Sequence, residues 1–106
     1  MKVFISQPMR GKTDDQIHKE YDCAVKCIKA LHPNAQIIDS FIHEDLDEEH
    51  PGLRYLARSI DLLDQADMIF MMPGWEKMRG CRIEHECATQ YGVIVRYMNE
   101  LEVENS

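Results

Sequence analysis

The chain has 106 residues, 19 of them Asp or Glu against 12 Lys or Arg, and a formal net charge of −7. That length fits a single domain over residues 1–106, large enough to bury a core without disulfide or metal staples. The acidic balance argues against a nucleic-acid polymer or an anionic membrane as partner, because both require a basic surface.

Met1-Lys2 leads straight into a strand-like run, unlike a secretory signal, and no apolar run approaches the roughly 20 residues of a membrane span. A cytoplasmic location is expected. The four cysteines, Cys23, Cys27, Cys81 and Cys87, then read as thiols. Cys23 and Cys27, with Cys81 and His85, have helical spacings compatible with a split zinc site. No C-x-x-C or H-x-x-x-H pattern accompanies them, so they are taken as small residues in or near the core, and no metal is expected.

Lys2-Val3-Phe4-Ile5 is a short strand-type run, and Ser6 to Lys12 follows it with the Pro and Gly of a loop. Thr13 and Gln16 form a capping box, and Asp14 and Asp15 put negative charge in the first turn of a helix starting at about Asp14. Its apolar stripe is Ile17, Tyr21, Ala24, Ile28 and Leu31, and Pro33-Asn34 ends it. Ala35 to Phe41 reads as a second strand, and the acidic run His43 to His50 as a solvated loop. A helix begins near Pro51, with Leu53, Leu56, Ile60 and Leu63 facing the core, and ends near Gln65. Asp67 to Met72 is the most continuously apolar segment, suited to a central parallel strand covered on both faces. After the loop Pro73 to Gly80 comes a short helix stopped by Gly92; Val93-Ile94-Val95 supplies a fourth strand, and 99–106 is a polar tail expected to fray. Alternating strands and helices predict a doubly wound parallel sheet of four or five strands in a flavodoxin-like or Rossmann-like three-layer sandwich.

In such folds ligands bind beyond the carboxyl ends of the strands, where strand order reverses. The loop Ser6 to Lys12, with Gln7, Met9, Arg10 and Gly11, offers backbone donors and two cations before a helix, a cradle for phosphate or carboxylate. The loop after the third strand brings Gly74, Trp75, Glu76 and Gly80 to the same edge. Trp75 either stacks on a nucleobase or closes the core beneath the loop. At about 100° per residue, Ile83, Glu84, Cys87, Ala88 and Tyr91 share the buried side of the next helix, while His85, Glu86 and Thr89 face solvent. Glu84 is thereby a carboxylate among buried residues, costly to ionise without partners. Placed in the first turn, it is favoured in its charged form, which suits a nucleophile at an anomeric carbon. Glu84 and the Arg10 loop should therefore line one pocket.

These residues resemble the nucleoside 2-deoxyribosyltransferase superfamily and its hydrolytic relatives, the deoxynucleoside monophosphate N-glycosidases, over nearly the whole chain, and more closely a group of small uncharacterised members. The resemblance rests on Val3 to Gly11, on Ala66-Asp67 leading into the third strand, and on Gly80 to Ala88. In the family's helix a glutamate precedes an alanine by four positions, which maps the nucleophile onto Glu84. The resemblance implies a flavodoxin-like fold, a homodimer or larger homo-oligomer whose subunits complete each other's sites, a 2-deoxyribosyl ester on Glu84, and no cofactor. Arg10 and Gly11 would hold a 5'-phosphate, with Lys12 an added cation. The chain departs from the family at Phe4, where many members have a tyrosine, and at Ser59, where they have an aspartate. Asp61 is about 200° around the helix from Ser59, so Glu76 is the better second carboxylate. The leading expectation is cleavage of an N-glycosidic bond in a deoxynucleoside or its 5'-monophosphate. A nucleotide-binding or sensing protein and a flavodoxin-like interaction domain are the alternatives.

Overall fold

A computed structural model of the chain describes residues 1–39 and 51–98. The acidic run, the end of the expected second strand (residues 40 and 41) and the expected tail at 99–106 lie outside those residues.

Strand β1 (Lys2–Ser6) and strand β3 (Met68–Met71) are the centre of the sheet, and every residue from Val3 to Ser6 and from Met68 to Met71 is buried. Both read as continuous apolar runs because helices cover both their faces. Strand β2 (Gln36–Ile37) pairs with the outer side of β1, and strand β4 (Ile94–Tyr97) with the outer side of β3, all in parallel. The order is β2-β1-β3-β4. The chain steps outward from β1 to β2 and then returns to β1's other flank for β3, so strand order reverses between β1 and β3.

Alternation along the strands divides the core into two layers. Val3, Ile5, Met68 and Phe70 pack with Ala24 and Ile28 of helix α1 (Asp14–Leu31). Phe4, Ile69 and Met71 face the opposite layer, with Leu63 of helix α2 (Pro51–Leu63) and Cys81 and Ala88 of helix α3 (Arg79–Gln90). Each fully buried large apolar side chain contributes about 1.5–3 kcal/mol. The result is an α/β sandwich of flavodoxin-like or Rossmann-like type.

The expected capping box is present: Thr13 Oγ1 accepts from the Gln16 amide at 3.2 Å, and Gln16 Oε1 accepts from the Thr13 amide at 2.9 Å. Three apolar positions differ from the periodic reading. Leu53 is 67% exposed, because the first turns of α2 stand over a cavity lined by Gly52, Tyr55 and Leu56 instead of lying on the sheet. Tyr91 is 84% exposed; it is the C-cap of α3, where helical projection no longer applies. Leu31, the last residue of α1, is also exposed. The split zinc arrangement is excluded by the two layers: Cys27 packs into the α1 layer, Cys81 into the opposite one. Cys23 is exposed on α1 rather than in the core.

Candidate functional site

At the carboxyl end of β1, where strand order reverses, lies an open cavity of about 710 Å³. Its floor comes from Phe4 and Ile5, one wall from Gln7 to Arg10, another from Gly52, Tyr55, Leu56 and Ser59 of α2, and the third from Lys77 to Glu84. Gly74 turns the chain after β3 with φ +88°, and a Cβ there would stand 3.8 Å from the Pro8 side chain. The two switch-point loops thus meet beside the cavity.

Glu84 projects from α3 into this space and is 7% exposed. Ser6 Oγ, at the end of β1, donates to Glu84 Oε1 at 2.8 Å. Burial pushes the Glu84 carboxyl up to about 7, against the opposing pull of the Ser6 and Ser59 hydroxyls, which favour the charged form. This corrects the placement read from sequence. Helix α3 starts at Arg79, so Glu84 lies in the second turn, beyond the reach of the helix N-terminus, and desolvation decides its protonation instead.

The cavity places two further acids beside Glu84. Burial raises Cys81 to about 11, and the Glu84 charge adds to the rise while Ser6 and Lys12 oppose it, so this thiol stays protonated and is a poor nucleophile. Tyr55 is raised by burial first, then by the charges of Glu84 and Cys81. It remains a phenol and donates to Met9 Sδ over 3.8 Å, a weak acceptor that a ligand oxygen or nitrogen would outcompete.

Among the described residues, the charged groups lining the cavity besides Glu84 are all cations: Arg10, Lys77, Arg79 and Arg82. On a chain of net charge −7 such a rim is a local reversal of sign, suited to an anionic group on a ligand.

Of the residues singled out from sequence, Gln7, Met9, Arg10, Ser59, Gly80 and Glu84 line this cavity. Ser6 is buried behind it and reaches it through Glu84. Gly11, Lys12, Gly74, Trp75 and Glu76 do not line it. Lys12 is paired instead with Glu20 at 2.7 Å. Glu76 is exposed in a 3-10 turn (Trp75–Lys77) and, unlike Lys77 of the same turn, does not line Glu84's cavity. Trp75 stacks on His85 with ring centroids 4.3 Å apart, and on Tyr97 at 5.8 Å. His85 is not the solvated residue expected from its helical position: its Nε2 is 2.6 Å from the Tyr97 hydroxyl. Asp67 ties the opposite edge together, accepting from the Lys2 amide at 2.7 Å.

Tyr55, Lys77, Cys81, Arg79 and Arg82 were not singled out from sequence as site residues. Tyr55 precedes Ser59 by one helical repeat, which puts both on one face of α2, and that spacing was the available signal. Among the described residues, no group of His, Cys, Asp and Glu is arranged to hold a metal ion, and no helix is long and apolar enough to cross a membrane.

A family model, described as a domain of unknown function (DUF4406), matches residues 1–97, and the chain belongs to that family. No curated protein and no solved structure matches it.

Proposed function

We propose that this member of the DUF4406 family is a cytoplasmic enzyme of N-glycosidic bonds, acting on deoxynucleosides or deoxynucleoside 5'-monophosphates through a covalent sugar–glutamate intermediate. One observation carries the reading: a buried carboxylate, Glu84, faces a cavity whose other charged groups, among the described residues, are all cationic. The cavity lies where ligands bind in doubly wound folds, and its volume is in the range of small-molecule sites. The similarity of Gly80 to Ala88 to the nucleophile helix of the deoxyribosyltransferases supports the assignment of Glu84.

In this mechanism an ionised Glu84 oxygen attacks C1' of the sugar. The bond from C1' to the base nitrogen breaks, its electron pair leaves with the base, and the base takes up a proton. Water or a second base then attacks C1' and releases Glu84. A carboxyl near 7 is ionised in part at neutral pH, and that ionised form attacks, stabilising the positive charge that develops on the sugar before the ester bond neutralises both. Ser6 holds Glu84 in position, and the cations Arg10, Lys77, Arg79 and Arg82 attract the 5'-phosphate. The same reading includes a homodimer or larger homo-oligomer.

A second reading, a nucleotide-binding or sensing protein with weak turnover, is favoured by one feature: among the described residues no carboxylate other than Glu84 lines the cavity. Chromatography of base released from a panel of deoxynucleosides and their 5'-monophosphates, with and without an acceptor base, separates the two. Release that Glu84→Gln abolishes is the expected result. No release, together with a nucleotide-dependent rise in melting temperature, supports the binding protein, and no thermal shift with any nucleotide supports an interaction domain.

A further inference from the structure

The neutral side-chain donors of the cavity wall are committed, with one exception. The Ser59 hydroxyl is bonded to the Glu84 carboxyl, the Gln7 amide nitrogen donates to the Ile17 carbonyl at 2.8 Å, and a thiol such as Cys81 is a weak donor. Tyr55 is the exception. From the α2 wall its hydroxyl reaches the sulfur of Met9, in the wall formed by the β1–α1 loop, at 3.8 Å. That is a long contact to one of the weakest side-chain acceptors. It bridges two walls of one cavity, and both residues are half-buried rather than sealed from solvent, so a ligand entering there meets the hydroxyl. The phenol also feels Glu84, whose charge helps to hold it up, yet it bonds Met9 while Glu84 is bonded by Ser6 and Ser59. A donor and a carboxylate thus share one open space without consuming each other. Leu56, Met78 and Ile83 add apolar lining to the same cavity, suited to a flat ring.

We infer that Tyr55 determines specificity for the base: its hydroxyl leaves the Met9 sulfur and donates to a neutral acceptor, a ring nitrogen or carbonyl oxygen, of the ring attached at the carbon that Glu84 attacks. The acceptor is neutral because an anionic one would meet the Glu84 charge, and anions are drawn instead to the cations Arg10, Lys77, Arg79 and Arg82 of the same cavity. The inference rests on the nucleotide reading for the identity of the ring; the need for a neutral acceptor follows from Tyr55. Exchanging a thioether for a nitrogen or oxygen acceptor favours the bound state, and a site built to hydrogen-bond its substrate rejects an analogue lacking the partner atom.

The test is calorimetric titration of wild type and Tyr55→Phe with probes that differ in one acceptor atom. These are 2-deoxyribose 5-phosphates carrying a phenyl ring or a 2-, 3- or 4-pyridyl ring at C1'. Their carbon–carbon bond at C1' resists cleavage, and only the pyridyl rings offer a nitrogen. The natural deoxynucleoside 5'-monophosphates and the free bases adenine and cytosine complete the set. Wild type is expected to bind one pyridyl probe about fivefold or more tighter than the phenyl probe. Tyr55→Phe should erase that difference, leave the phenyl probe unchanged, and weaken the natural nucleotides that bind by a similar factor. If natural nucleotides bind equally well to both proteins, or if the variant weakens phenyl and pyridyl probes alike, the role of Tyr55 is overturned and the nucleotide reading stands. If no nucleotide binds, yet a free base binds in a Tyr55-dependent way, the nucleotide reading fails and the role stands. If no probe binds, both fail. Should Tyr55→Phe not fold, the wild-type protein decides by carbon NMR of the tyrosine Cζ atoms. The Tyr55 resonance moves with a pyridyl probe and not with the phenyl probe; equal movement with both overturns the inference.

Discussion

A carboxyl at about 7 is present in both protonation states at neutral pH, so the occupant of the cavity decides which one prevails. Its ordinary value is 4.5, and a raised acid makes the folded state bind its proton more tightly than the unfolded chain does. The stabilisation is full below pH 4.5 and is lost as pH rises through about 7. Its size is about 3 kcal/mol. Glu84→Gln removes that dependence, so its denaturation midpoint should stay level over this window while that of wild type falls. As a nucleophile Glu84 must be ionised, so kcat/KM should rise with pH along a limb centred near 7. Ser6→Ala withdraws a donor that favours the charge. It should move that limb to higher pH and cost about 1–3 kcal/mol of ground-state stability at alkaline pH. That Glu84 would be buried was legible from its spacing with Cys87 and Ala88. Its protonation was not, because α3 starts at Arg79, inside the expected loop Pro73 to Gly80, which moves Glu84 out of the first turn and leaves desolvation unopposed by the helix end.

Elements with strong local signals were legible in the sequence, and those defined by their neighbours were not. The Thr13 and Gln16 pair set the start of α1 to the residue. Thr13→Ala should lower stability by about 1 kcal/mol, read as a lower urea midpoint at unchanged slope. Strands β1 and β3 announced themselves as apolar runs. Strand β2 spans only Gln36 and Ile37 within the described residues, joined to β1 by the Gln36 and Ile38 amides, which donate to the Met1 and Val3 carbonyls at 2.8 and 2.9 Å. The aromatic triad of Trp75, His85 and Tyr97 was invisible because it joins a loop, a helix and a strand through long-range packing. With Trp75 committed to His85 and Tyr97, the triad braces the loop against α3. Tyr97→Phe should cost about 1 kcal/mol through the lost hydrogen bond to His85 while leaving nucleotide affinity unchanged, which paired thermal-shift and titration measurements would show.

Across the whole molecule, the meeting of Arg10 with Glu84 followed from one rule of open α/β sheets, that loops at a strand-order reversal converge. The approach of α2 to the cavity, which puts Tyr55 beside Ser59 there, was signalled in the sequence only by their spacing of one helical repeat, because it depends on how the helix packs against α3. The cationic rim was scattered over Arg10, Lys77, Arg79 and Arg82 and became a single feature only when the loops closed. If the rim holds a 5'-phosphate, monophosphate affinity should fall steeply with added salt while nucleoside affinity barely changes. Arg10→Ala with Arg82→Ala should remove most of that difference. The central claim, that Glu84 attacks C1', is tested most directly by acid-quenching the protein with a deoxynucleoside 5'-monophosphate and measuring its intact mass and peptide map. The account predicts a sugar-phosphate adduct on the peptide containing Glu84, matched by free base and absent from Glu84→Gln. Base release that persists undiminished in Glu84→Gln, or neither base nor adduct with any substrate of the panel, would contradict it.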